Sequence, residues 1–375
     1  MSDGSSRFSL PALPSWLITA LKVVVSLGLI SLLLTQVDLG QMADAVSLNL
    51  IPALIAASLV LMLQSVGMGY RWHALLSELG LLKNLRWAMR HAFIATFFNQ
   101  CLPSSIGGDG YRVLISKRAG FGWQAAMSSV MVERYTALIC LFVVAAIGLI
   151  PLGFALTESS LIWLFVIFVV SGFAGTFVVA SLAEIAAFQK LPGLVARVLN
   201  AWIVGRVFAD MRRVIRSRRL LMILGGAGLF NNAMNGVAVW IVGQALGVEL
   251  GVLPYMTVMA IATLITVIPI SMAGWGLRDG VVVFILVATG VGEAEALIIS
   301  ISYGIGLLLS SIPGGVLLWR SVGYDRKALV EQASQADPLK QAVTDQGGLA
   351  QNSPEQDASE QALHVTDTIK PPPSS

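Results

Sequence analysis

Seven long apolar runs recur along this chain, at residues 16–34, 51–70, 126–150, 160–182, 220–246, 252–270 and 296–319. Each is long enough to cross the roughly 30 Å hydrocarbon core of a bilayer at about 1.5 Å of rise per helical residue. Composition closes the soluble alternative, because 56% of the 375 residues are hydrophobic and only 12% are charged. Ordinary soluble domains carry about 25% charged residues. A water-soluble fold has nowhere to hide this much apolar surface, so lipid is the solvent. The expected fold is all-α: a polytopic integral membrane bundle of about eight transmembrane helices, with two re-entrant or broken segments.

The first run, Trp16 to Leu34, is longer than a signal-peptide core and no small-residue cleavage site follows it, so it reads as a retained helix. Orientation follows from lysine and arginine in the connections. Loops 35–50, 151–159, 247–251 and 290–295 contain neither, and carry the acids Asp38, Asp44, Glu158, Glu249, Glu293 and Glu295. The other side holds Arg71, Lys83, Arg86 and Arg90, then Arg112, Lys117 and Arg118, the block from Lys190 to Arg219, and finally Arg320, Arg326 and Lys327. The expectation is a bacterial inner-membrane protein with both termini cytoplasmic. A short N-terminus (1–15) precedes the transmembrane domain (16–320), and a polar, proline-ending tail (321–375) is expected to be disordered in the cytoplasm. The stretch Arg197 to Arg219 mixes apolar side chains with arginines and reads as an interfacial helix on anionic headgroups, or else as a partner site.

Several chemistries lose their footing at once. Cys101 and Cys140 both lie in apolar segments and read as small buried hydrophobes. His73, His91 and His364 show no metal-ligand spacing, and no phosphate-binding loop of the P-loop type occurs. The expectation is therefore no metal, no cofactor, no nucleic acid and no enzyme activity.

Two segments break the simple pattern. Residues 71–90 and 112–118 are both basic, so the chain between them must cross twice or dip in and return, and fewer than thirty residues suit a re-entrant hairpin. Residues Arg278 to Val291 give only about 20 Å of helix, which suits a half-helix starting inside the membrane. Ionisable residues at that depth are costly and usually face protein or water. They fall into three clusters. The first is Asn99, Pro103, Gly107, Gly108, Asp109 and Arg112, where proline and paired glycines interrupt the helix and Asp109 and Arg112 share a face. A cytoplasmic loop with a surface ion pair is the alternative. The second is Glu133-Arg134, whose side chains point about 100° apart, so each should meet charges from another element; a purely structural salt bridge is the alternative. The third is Ser271, Gly274, Gly276, Arg278 and Asp279, a glycine-loosened turn at a helix start, where an anion is favoured. There the alternative is a tight turn with Asp279 as cap, and the two readings are compatible. Together Arg112, Arg134 and Arg278 suggest a cavity for an anionic headgroup, with Asp109, Glu133 and Asp279 neutralising them when it is empty.

At these clusters the sequence resembles a known family. The stretches Asn99 to Pro103, Gly107 to Arg112, Val132-Glu133-Arg134 and Pro269 to Gly280 are similar to the flippase-like membrane domain of lysylphosphatidylglycerol synthases, which also occurs as stand-alone membrane proteins. The resemblance spans about residues 15–320, with motif order and spacing in agreement. Three departures stand out: the family usually has glutamate where Asp279 stands, often an arginine near Tyr303 or Gly304, and often an acid within a turn after Glu133-Arg134. The resemblance implies lipid translocation or handling without the lysyl transfer of the synthases' soluble domain. The leading expectation is a transporter moving an anionic phospholipid or lipid-linked sugar between leaflets. The runner-up is an accessory subunit of a membrane glycosyltransferase or lipid-modifying enzyme, and a third option is an intramembrane glycosyltransferase.

Overall fold

The computed structural model describes residues 15–36, 40, 48–81, 83–102, 107–156, 159–187, 204–267, 271 and 273–335. Among them run eleven helices: α1 (Ser15–Gln36), α2 (Leu50–Glu78), α3 (Leu85–Cys101), α4 (Gly107–Arg118), α5 (Trp123–Ala155), α6 (Ser159–Ala187), α7 (Val204–Arg216), α8 (Arg218–Ala245), α9 (Val252–Thr266), α10 (Leu277–Ala288) and α11 (Glu293–Gln335). The fold is a polytopic all-helical membrane bundle. Helices α2, α5, α8 and the 293–321 part of α11 have the length and apolarity to cross a bilayer, and α1, α6 and α9 contain shorter apolar helices. Large apolar side chains such as Ile147, Ile150, Phe154, Trp163 and Ile167 face outward, as a bundle dissolved in lipid requires. The chain divides into two compact units, 1–317 and 318–375. Of the second, residues 318–335 are described and are helical. Where the sequence predicts a disordered tail from 321, the helix continues to Gln335, through helix-forming Ala328, Leu329, Glu331, Gln332 and Ala333; residues 336–375, like 1–14, lie outside the described residues.

Two apolar clusters give the first unit its ends. Leu75 and Leu79 of α2, Val132 of α5, Met211 and Val214 of α7, and Leu220 and Leu224 of α8 meet near the lysine- and arginine-rich connections; this is the basic end. Ala57, Leu61, Leu149, Leu152, Val242, Tyr255, Leu286 and Ile299 belong to the larger core toward the acidic connections.

The order of helices contains a repetition. A long helix (α2) leads to a hairpin of 17 and 12 residues (α3, α4) and then to a long helix (α5). Later a long helix (α8) leads to a hairpin of 15 and 12 residues (α9, α10) and then to α11. The α3–α4 hairpin enters from the basic end and α9–α10 from the acidic end, so the two are inverted. None of the four hairpin helices, at about 18–25 Å, spans the hydrocarbon core. Both interrupted segments of the sequence are thus hairpin tips. The apolar run 252–270 is shorter as a helix than as a run: α9 stops at Thr266, ahead of Pro269, which has no N–H to extend a helix. The basic stretch Arg197–Arg219 yields the amphipathic α7 and the start of α8, while 197–203 fall outside the described residues.

Candidate functional site

The tip of the first hairpin is built by close approach. The side chain of Asn99, near the end of α3, accepts the N–H of Gly108 at 2.8 Å and so satisfies one of the free amides at the start of α4. A β-carbon on Gly108 would run into the carbonyl of Ala95, and one on Gly107 would meet Leu102 at 2.6 Å. The paired glycines therefore let α4 start against the backbone of α3. Pro103 belongs to the same motif and lies outside the described residues.

One turn into α4, a chain of buried ion pairs begins. Arg134 donates from Nε to Asp109 Oδ2 at 2.7 Å. Asp109 Oδ1 lies 3.6 Å from Arg112 Nη1, which also donates to Glu133 Oε2 at 2.6 Å. Arg71 Nη2 completes the chain, 3.1 Å from Glu133 Oε1 and 2.9 Å from the Glu133 carbonyl. Glu133 and Arg134 do turn to different partners, as their angular separation requires. Three guanidinium groups meet two carboxylates here, so the cluster carries one positive charge in excess. Arg112 is fully buried and its guanidinium stacks 4.5 Å from the Trp72 ring. Arg71 Nε, Trp72 Nε1, Arg112 Nε and Nη2, and the Ser116 hydroxyl are buried with no hydrogen-bond partner among the described residues. These five are donors, or can donate, against one buried acceptor in the same condition, Asp109 Oδ1, so the cluster is short of acceptors. Arg134, with 49% of its side chain exposed, is the cluster's open edge.

Arg71 is the member that sequence reading missed. It counts there as a basic loop residue just past an apolar run. In the structure α2 extends to Glu78, which carries Arg71 inside the bundle at 2% exposure. Arg112, which the sequence reading places in the first cluster while also counting it among the basic connections, is fully buried.

The second hairpin tip is a left-handed turn. Ala273, Gly274 and Gly276 have φ of 49°, 84° and 82°, values that only glycine adopts freely. A β-carbon on Gly276 would also press on Leu29 of α1 at 2.7 Å. Asp279, the third residue of α10 as Asp109 is the third of α4, reaches back to the N–H of Gly276 at 2.9 Å and caps the helix. Its Oδ1 also accepts from Arg278 Nη2 at 2.8 Å, from Arg278 Nε at 3.1 Å and from the Ser300 hydroxyl at 2.7 Å. The Arg278 guanidinium lies 5.3 Å from the Trp275 ring and 5.0 Å from the Tyr303 ring. Ser271 is buried beside this turn in the sequence. Gly304 leaves the room for this arrangement, since a β-carbon there would meet Trp275 and Arg278.

Tyr303 carries the polar chain onward. Its hydroxyl donates to Asn235 Oδ1 at 2.8 Å, and Gln64 Nε2 donates to the same oxygen at 2.5 Å. Among the described residues the structure joins Arg278 to neither Arg112 nor Arg134 by a hydrogen bond or ion pair. It makes two clusters, a positive one at the first hairpin tip and a charge-balanced one at the second. A half-open, mainly apolar pocket of about 420 Å³, lined by Leu33, Val283, Phe284, Val287 and Leu297 together with Glu293, lies along α10. Among the described residues no group of histidine, cysteine and acidic side chains has metal-site geometry.

The chain matches the family described as "Lysylphosphatidylglycerol synthase TM region" over residues 19–314. It belongs to that family. The match takes in both hairpins and every residue of the two clusters, so the polar machinery sits inside the family's membrane region and not in an appended part. A search of curated proteins finds no match to the chain.

Proposed function

We propose that this member of the lysylphosphatidylglycerol synthase transmembrane family is a flippase-like transporter and not an enzyme, and that it moves an anionic phospholipid or lipid-linked sugar between leaflets. The observation that carries this reading is the excess positive charge of the first cluster, together with an imbalance of five buried donors to one buried acceptor without a partner among the described residues. A buried, uncompensated cation is expensive in a membrane. A phosphate oxygen would supply both the missing charge and the missing acceptor, and guanidinium forks suit it. Half-exposed Arg134 is the first contact, and Arg112 and Arg71 lie behind it. The inverted hairpins support the same reading, since paired broken helices of opposite orientation are a recurring plan of secondary transporters. The acyl tails stay in lipid while the headgroup moves. We place the basic end in the cytoplasm of a bacterial inner membrane, as the distribution of lysine and arginine favours.

The test is translocation of fluorescent phosphatidylglycerol in proteoliposomes. The intact protein should accelerate it over empty liposomes, and Arg134→Ala and Arg278→Ala should each slow it. No acceleration across phosphatidylglycerol, phosphatidic acid and a polyprenyl-phosphate sugar would sink the transporter. Stable copurification of a single membrane glycosyltransferase in that case would favour the accessory role.

A further inference from the structure

The two clusters are joined by a seam that neither hairpin supplies. Helices α2 and α8 run antiparallel and meet in strict register. Leu79 and Leu220, then Leu75 and Leu224, lie in one apolar cluster at the basic end. Moving inward, Gly228 packs on Cys140 of α5 with Arg71 just beyond it, Gly67 faces Asn231, and Gln64 is hydrogen-bonded to Asn235. Beyond them Leu61 and Ala57 join Ala238, Val239 and Val242 in the main apolar core. The seam is apolar at both ends and polar only in the middle, over a length of about 10 Å. One end of this polar stretch is Arg71, bonded to Glu133 in the positive cluster. Its other end is Asn235, bonded to Tyr303, whose ring lies against Arg278 of the second cluster.

Interhelical amides are ordinary glue between membrane helices. Glue accounts for Gln64 with Asn235, but not for the rest. Among the described residues Asn231 Oδ1 is buried with no hydrogen-bond partner, and Asn232 donates to the carbonyl of Gly228, four residues back on its own helix. An unpaired buried carbonyl costs stability without holding two helices together.

We propose that this middle stretch of the α2–α8 seam is the track along which the headgroup passes from one cluster to the other. The proposal rests on the transporter reading above. Gln64, Asn231, Asn235 and Tyr303 offer uncharged donors and acceptors, with no fixed charge between Arg71 and Arg278. Phosphate oxygens and hydroxyl groups are bonded in turn and released, because no guanidinium holds them there. Gly67 keeps the wall low opposite Asn231, so that side chains and not helix backbones must part.

The experiment compares wild type, Asn235→Leu and Gln64→Met, the last two apolar replacements of similar size. Three readouts are taken: phosphatidylglycerol translocation in proteoliposomes, calorimetric binding of dihexanoyl phosphatidylglycerol in detergent, and thermal unfolding. Both variants are expected to lose translocation by about tenfold or more, a barrier increase of about 1.4 kcal/mol. Binding should change less than about twofold, because the positive cluster is intact. Each single variant leaves one amide unpaired and should unfold somewhat lower. The double variant Gln64→Met/Asn235→Leu, in which apolar side chains replace both amides, should unfold closer to wild type and still lose translocation. Wild-type translocation retained in both folded variants would overturn the track and leave the transporter standing. A translocation loss that only follows a fall in unfolding temperature would make the seam mere glue. Failure of wild type to move any lipid would take the transporter and the track down together.

Discussion

Glu133 is the residue on which most charge depends. It bonds Arg112 through one oxygen and faces Arg71 through the other, all three nearly inaccessible. Replacing it by glutamine would leave two guanidinium groups buried against a neutral amide. Breaking a buried pair from one side costs about 3–5 kcal/mol, so Glu133→Gln is expected to lower the unfolding temperature in detergent by several degrees or more. Arg134→Ala should behave oppositely. Half of that side chain is exposed, and pairs near the surface contribute little to stability. Its unfolding temperature should stay near wild type while lipid translocation falls. The contrast separates a stabilising member of the network from one that receives substrate, and equal effects on stability would remove the distinction. The charged pair at 133 and 134 was legible in the sequence, because ionisable residues stand out in an apolar run. Arg71 was not, because a helix that outlasts its apolar run leaves no mark in hydropathy. Asn231 and Asn235 were not either: an amide in an apolar helix reads the same whether it faces a partner or lipid.

At the scale of elements, each hairpin tip depends on glycine for a different reason. Gly276 is held at φ 82° against Leu29, so Gly276→Ala adds both left-handed strain and a close contact. Strain of this kind costs about 1–3 kcal/mol. Gly108 has ordinary helical backbone but no space, because its β-carbon would enter the Ala95 carbonyl and sit 2.7 Å from Asn99 Oδ1. Gly108→Val should open the α3–α4 tip, and cysteine pairs across that tip should then cross-link less readily while those across α9–α10 are unchanged. Equal cross-linking in the variant would show that α4 need not start against α3. The motifs around both glycines were readable as breaks, since proline and glycine interrupt helices wherever they cluster. What they could not convey is that the two breaks are the tips of hairpins entering from opposite ends of the bundle.

For the whole molecule, the charge asymmetry of the connections makes a topological prediction. In a background without Cys101 and Cys140, a cysteine at Ala119 should react with an impermeant maleimide only from the cytoplasmic side. One at Gly290 should react only from outside. Labelling of both from one side would undo the orientation, and with it the inverted sense of the two hairpins. The membrane bundle, its two broken segments and the charged groups within them were all determined by sequence. Lipid as solvent forces long apolar helices, and every exception to that rule is conspicuous. Tertiary structure alone decided that Arg112 and Arg278 belong to separate clusters, that Arg71 completes the first, and that an amide seam joins the two. Those facts depend on which face of α2 meets which face of α8, and residues far apart in the chain acquire that relation only when the helices pack.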